Sequence, residues 1–433
     1  MKRFWIGLAG VAAFWALVWG MLKYGPWDGS APEVPDYGVE RKEVEPEANA
    51  YTLFLQATNL LVESTNSTLL SEYRAGMPVD VEEVRSQIAA NAEALALVRQ
   101  GTERNVCITP PVEDFETLVP YIGPWLTIGR VLEVQAYLAR TEGRMGEALE
   151  ASLTTAKMGN LIQQDAACLI NYLVGIAILD MGVQEMLALA QDSAVPTDVL
   201  LRLAEGLEEL GPFERGLVLA LQAEYAGASK MIDRIAESPR EMMSGALWLE
   251  DDSWFSGVIG TLAGWNYCFQ PNRTKAMFAE SYLEVIRRAA LPLSEAGPEP
   301  ERWSPVNKWH RPNSIGELLR ALLMPALDKL VEVKCRKEAL VAGAKLAVAG
   351  NRFQRDRGRW PETLAELVPD YLGGVPRDPY DGEPFRYSAE KEIVWAVGTN
   401  LTDEGGSTRV EGSDRNYDER RDQHKAEDFV FGL

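Results

Sequence analysis

The sequence predicts a mainly α protein: an N-terminal transmembrane helix, an α-helical bundle or irregular helical solenoid, and a small C-terminal α+β domain with a short antiparallel sheet. Three observations predict it. Phe4 to Leu22 is an uncharged run of nineteen residues. From Ala50 to about Leu291, apolar residues recur at helical spacing, with few strand signals between them. After residue 380, short runs of β-branched and aromatic residues follow strong turn chemistry. The segments expected are an anchor over 1–24, a linker over 25–46, a helical domain over 47–312, and a long helix with the α+β domain over 313–433. A chain of 433 residues is long enough for two or three cores.

The opening run is flanked by Lys2 and Arg3 before it and Lys23 after it. At about 1.5 Å per residue it reaches about 28 Å, close to a hydrocarbon core of about 30 Å. Trp5, Trp15, Trp19 and Tyr24 suit the interfacial belt. A cleaved signal peptide would have a shorter apolar region of about 7–15 residues and a small-residue cleavage site. Here Lys23-Tyr24-Gly25-Pro26-Trp27 follows instead, so an uncleaved signal anchor is the expectation. No cysteine follows the run to make a lipoprotein. The charge bias places the amino terminus inside and the body on the periplasmic or extracytoplasmic side of the inner membrane. Gly25 to Pro46, with four prolines, reads as an extended, solvated linker.

The body then reads as consecutive helices. One begins near Ala50, and Pro78-Val79-Asp80 opens another through Val98. Pro124 to Leu138, Met145 to Ile162, Leu169 to Leu189, Pro196 to Leu210 and Pro212 to Ile235 continue the stack. The turn from Ala139 to Leu149 looks like the inter-helix turn of a tetratricopeptide repeat, yet the pattern does not recur about 34 residues later. Asp251 to Pro312 mixes Gly and Pro, and Trp248, Trp254, Trp265, Trp303 and Trp309 lie in or beside it. Those rings are expected to fill gaps between helices or lie near the membrane surface.

In the tail, Gly358 can end the long helix in a left-handed turn, and Pro361 can open a short helix through Leu367. Asp378-Pro379 and Asp381-Gly382 are turn-forming pairs. Pro384 to Ser388 and Glu392 to Val397 read as two strands. Tyr380, Phe385, Tyr387, Val394 and Trp395 are expected to pack against the long helix.

Several classes of chemistry are excluded. The net charge of −21 argues against nucleic acid or anionic lipid headgroups as partners. Only two histidines occur, His310 beside Trp309 and His424 in a charged loop, which argues against a histidine-based triad or a histidine-rich metal site. No Gly-x-Ser-x-Gly, His-Glu-x-x-His or phosphate-binding glycine loop is present. Ser388-Ala389-Glu390-Lys391 spells Ser-x-x-Lys, but it falls on a predicted strand turn. Cys107, Cys168, Cys268 and Cys335 are too dispersed for a metal or redox motif. They leave open either two disulfides, in three pairings, or free thiols. Paired carboxylates among 64 acidic residues keep one alternative open, an envelope hydrolase acting on glycan or peptide within the Trp-rich region.

The last quarter carries a more specific pattern. A long helix (Leu340 to Asp356) leads to Gly358-Arg359-Trp360-Pro361, then Asp378-Pro379, the two strands, Gly398-Thr399-Asn400-Leu401-Thr402-Asp403-Glu404-Gly405-Gly406, and Asp428-Phe429. This order resembles the globular head of the major pseudopilin of type II secretion systems. The resemblance implies a calcium-binding acidic loop, and Asn400, Asp403, Glu404 and Asp428 are the candidate ligands it implies. Calcium takes about six to eight oxygens from carboxylates, amides and carbonyls, and the loop offers all three. Two departures bear on function. A charged insert, Glu411 to Lys425, separates Gly406 from Asp428, and its Asp414-Arg415-Asn416-Tyr417-Asp418 copies half an EF-hand loop. The N-terminus also lacks a pseudopilin leader. The expectation is therefore a single-pass, non-catalytic envelope protein. Its helical body scaffolds or binds envelope partners, its terminal head is pseudopilin-like, and the resemblance links it to a secretion or pilus-type assembly.

Overall fold

The computed structural model describes residues 14–33, 43–62, 68–112, 117–238, 261–262, 264–297, 311–407 and 428–433. The start of the anchor, part of the linker, Trp248, Trp254, Trp303, Trp309, both histidines and the charged insert lie outside the described residues.

The architecture is mainly helical with a small three-stranded antiparallel sheet near the C-terminus. Helix α1 (Ala50–Leu60) starts at Asn49, whose Oδ1 accepts from Tyr51 N–H at 3.1 Å and from Ile108 N–H at 2.9 Å. Helices α2 (Leu69–Arg74), α3 (Val81–Ala90) and α4 (Ala92–Gly101) follow. Asp80 caps α3 through Glu82 N–H at 3.0 Å. The single helix expected over Pro78 to Val98 is thus two, broken at Asn91. That side chain is fully buried and spends its amide on Val62 N–H, Val62 C=O and Gln87 C=O, at 2.8, 3.0 and 2.9 Å. It serves the preceding loop, where a continuous helix would have left that loop's polar groups unmatched.

Helices α5 (Ile122–Thr141), α6 (Met145–Gln164) and α7 (Leu169–Ala190) form the centre. The α5–α6 turn is made at Gly143, with φ of 75°. Helices α6 and α7 approach closely because small residues face each other. A Cβ added at Gly182 would lie 2.8 Å from Ala156 Cα, and one at Gly175 would lie 2.6 Å from Gln163 N. Among the described residues, α7 is the one helix long and apolar enough to cross a membrane, with mean hydropathy 1.7 over its best window, yet 56% of that window is buried inside the body. Its two acids are paired, Asp180 with Lys337 at 2.5 Å and Glu185 with Arg74 at 2.5 Å. Core packing therefore accounts for its apolarity.

Helices α8 (Thr197–Glu208), α9 (Glu214–Glu237), α10 (Pro271–Ala289), α11 (Ser314–Leu323) and α12 (Pro325–Arg357) complete the body. The long helix begins at Pro325, fifteen residues before the Leu340 start read from sequence, and its 33 residues span about 50 Å. It ends as expected at Gly358, with φ of 68° and Gly358 N–H donating to Gln354 C=O at 2.8 Å. The short helix read after Pro361 is reduced to a 3₁₀ turn over Leu364–Leu367.

Strands β1 (Arg386–Ser388), β2 (Ile393–Ala396) and β3 (Phe429–Gly432) pair in the order β1-β2-β3, with Tyr387 opposite Val394 and Val394 opposite Phe431. The first two strands match the sequence expectation; the third had no separate signal. Its Phe431 ring lies against Gly343 of α12, where a Cβ would collide with it. One apolar core runs from Leu149 and Leu179 in the centre, through Leu200, Phe278, Leu340 and Ala344, to Val394 and Phe431. Sheet and helical body share that core. A smaller core, with Phe54, Leu95, Trp125 and Ile128, holds α1, α4 and α5 together.

Candidate functional site

The loop after β2 is folded by its own polar side chains. Asn400 Oδ1 accepts from Thr402 N–H at 3.0 Å, and Leu401 takes a left-handed φ of 56°. Asp403 Oδ1 accepts from the Trp395 indole N–H and from Gly405 N–H, both at 2.9 Å. Lys391 donates to Gly405 C=O at 2.7 Å. Gly405 and Gly406 both have positive φ, 71° and 75°, which lets the chain turn back toward β3.

Asp428, four per cent exposed, enters from the far side of the charged insert, and its Oδ2 accepts from Gly406 N–H at 2.9 Å. Glu404 Oε1 accepts from the Asn400 amide at 2.6 Å. The remaining oxygens, Glu404 Oε2 and Asp428 Oδ1, are buried and have no hydrogen-bond donor among the described residues. Burial and the facing Asp428 hold the Glu404 carboxyl above its usual range, against the Asn400 amide that pulls it down. The Asp403 carboxyl also feels burial pushing it up. The Trp395 and Gly405 N–H groups and nearby Arg386 outweigh that push, so it lies below its usual range.

Of the four residues read from sequence, Asn400, Glu404 and Asp428 therefore meet. Asp403 turns its Oδ1 to Trp395, and its Oδ2 lies 3.8 Å from Arg386 Nε. Two donorless carboxylate oxygens suit a hard cation, which would neutralise both. Asn400 Oδ1 and Asp403 Oδ1 are already engaged in shaping the loop. Among the described residues, no three His, Cys, Asp or Glu side chains converge as a ready cluster.

A second acidic network lies beside the loop. Arg386 reaches Asp378 at 2.6 Å and also bridges to Asp381. Asp378 is fully buried and accepts from Tyr380 N–H at 2.9 Å and Val397 N–H at 2.8 Å. Burial pushes its carboxyl up to about 6, against those N–H groups and Arg386. A third pair, Glu133 and Glu185, is held by Arg74 at 3.1 and 2.5 Å. None of these acids lines the cavity of about 350 Å³ found between α3, α4 and α5. The Ser388 to Lys391 tetrapeptide closes the β1–β2 turn, with Lys391 N–H on Ser388 Oγ at 3.2 Å. The four cysteines are free thiols.

The N-terminal helical stem carries a site the sequence reading missed. Residues 14–24 are helical. Asn266 N–H and Tyr267 N–H donate to Lys23 C=O and Leu22 C=O at 3.1 and 3.0 Å, satisfying carbonyls that a helix end leaves orphaned. Trp19 packs edge-on against Trp265, and Trp27 against Tyr267. Asp28 then caps α10 from 244 residues away: its carboxylate accepts from Asn272 N–H at 2.9 Å and Arg273 N–H at 3.0 Å. The beginning of the segment read as a solvated linker is therefore docked. The sequence signal was a gap: α10 opens on Gln270-Pro271 with no local cap.

No protein family, curated protein or solved structure matches this chain.

Proposed function

We propose that this chain is a single-pass envelope protein without turnover chemistry, a helical scaffold mounted on the membrane by its first two dozen residues. One observation carries the reading. Phe14, Trp15, Leu17 and Met21 are 61, 63, 74 and 63% exposed on the helical stem, at the end of the nineteen-residue uncharged run. Immediately after it, Lys23 to Gly29 are fixed to the body by hydrogen bonds to Asn266 and Asn272. Large apolar groups left in water beside a pinned stem are what a bilayer would cover. The body then sits on the extracytoplasmic side, as the charge bias requires, and binds envelope partners of protein nature.

Within this reading the C-terminal module is a pseudopilin-like head, supported by the order of long helix, left-handed Gly358, Asp378 turn, sheet and acidic loop. The link to a secretion or pilus-type assembly rests on the same order. Calcium is the cation proposed for the loop. Glu404 and Asp428 would hold it, with Asn400 and Asp403 setting the loop's shape, and its chemistry there is charge neutralisation alone.

The anchor is tested by fractionation. The full chain should stay with membranes through an alkaline carbonate wash, and removal of residues 1–24 should release it. Full-length protein in the soluble fraction would overturn the assignment. The head is tested by unfolding in calcium against chelator, where an unchanged transition for the tail removes the metal.

A further inference from the structure

The cavity between α3, α4 and α5 combines features that the scaffold reading does not use. Its walls are Ile88, Ala89 and Ala92, with Leu95 and Leu138 buried at its floor. The charged residues lining it are Arg85, Arg99 and Arg144, in a chain whose net charge is −21. At the rim, Arg85 and Arg144 both bind the Glu142 carboxylate, Arg144 through Nε at 3.0 Å and Nη2 at 2.5 Å. Their other partners are Glu82 and Glu147, so both rim arginines are neutralised.

Arg99 differs. It lies in the last turn of α4 and is half-buried. Its Nη2 donates to Gln135 Oε1 at 3.1 Å, and no described carboxylate pairs with it. A guanidinium carries five N–H donors in a planar fork that matches a carboxylate two-to-two. Arg99 lines the cavity together with the buried Leu95 and Leu138. About 350 Å³ holds one aliphatic side chain and a carboxylate, at the small end of ligand sites.

We infer that this cavity is a binding site for the free C-terminal residue of a partner polypeptide. The terminal carboxylate pairs with Arg99, and an apolar last side chain lies on Leu95 and Leu138. No bond is made or broken, and the inference does not depend on the membrane anchor or on calcium.

The test is fluorescence anisotropy on the full chain in detergent. The probe is a labelled hexapeptide, Gly-Ser-Gly-Ser-Ala-Leu, with a free carboxylate or as its C-terminal amide. One charge-assisted, bidentate contact should make the acid bind at least about tenfold tighter than the amide. Arg99→Gln should erase that difference, and Ala92→Trp should weaken the acid by filling the mouth. Both variants must keep the wild-type unfolding transition, which Arg99→Lys controls by retaining charge without the fork. Equal affinity for acid and amide, no binding of either, or an acid preference surviving Arg99→Gln would each overturn the site.

Discussion

Replacing Asp428 by Asn tests the acidic loop with a sign that a simple structural role would not produce. In the wild type, Glu404 Oε2 and Asp428 Oδ1 are buried without donors among the described residues, and Asp428 Oδ2 takes Gly406 N–H at 2.9 Å. An asparagine keeps an oxygen for Gly406 and turns an amide N–H toward Glu404. One unsatisfied acceptor is removed and the other gains a donor, and the repulsion between facing acids disappears. In chelator the variant should therefore be more stable, by about 1–3 kcal/mol for the local opening. In calcium the order should narrow or reverse. A cation that binds only the folded loop stabilises the wild type by about 2.7 kcal/mol at a hundredfold excess over its Kd, and the variant by less. Because the chain has more than one core, the assay should be local: hydrogen exchange of peptides covering 393–397 and 428–433, with calcium and with chelator. Faster exchange of the variant in chelator, or equal protection of both proteins by calcium, would refute the reasoning.

Three further outcomes are expected. Gly182→Ala should cost about 1–3 kcal/mol in unfolding experiments despite alanine's better helix propensity, because the new methyl meets the Ala156 backbone and Cβ at 2.3–2.8 Å. Asp28→Ala should lose about 1 kcal/mol of α10 capping and speed limited proteolysis between residues 25 and 46, without changing membrane retention. For Asp378 the folded carboxyl is raised from 3.8 to about 6, so the folded chain holds the proton more tightly than the unfolded chain. Its contribution is complete below about pH 4 and is lost as pH rises through about 6; Asp378→Asn should flatten that limb in unfolding measured between pH 4 and pH 7.

The helices were legible because their signals are local. Apolar residues at three- and four-residue spacing place α5 through α9 within a few residues of the expected limits, and Gly358 marks the end of α12 through its backbone alone. What was hidden depends on partners distant in sequence. The break at Asn91 comes from Val62, the cap of α10 from Asp28, and strand β3 from a pairing with β2 across the charged insert. The acidic loop was half legible: Asn400, Glu404 and Asp428 do meet, while Trp395, which claims Asp403, could be assigned to packing from its pattern but not to hydrogen bonding. Arg99 had no sequence signal, since an arginine at the end of an amphipathic helix ordinarily serves the helix terminus and solvent.

These distant partners also explain why the head is not simply hung from the body. Helix α12 contributes Val331, Cys335 and Ala339 to the same core as the central helices, then Ala344 and Phe353 nearer the sheet. Phe431 closes on Gly343, and Gln191 at the end of α7 donates to Gly432 C=O at 3.0 Å. At the other extreme of the chain, Asp28 fixes the stem to α10, which itself packs on α9 and α12. A load on the stem would thus pass through α10 into the same continuous core that seats the sheet. Asp28 closes that connection at the N-terminal end, since its carboxylate ties the stem to the first turn of α10.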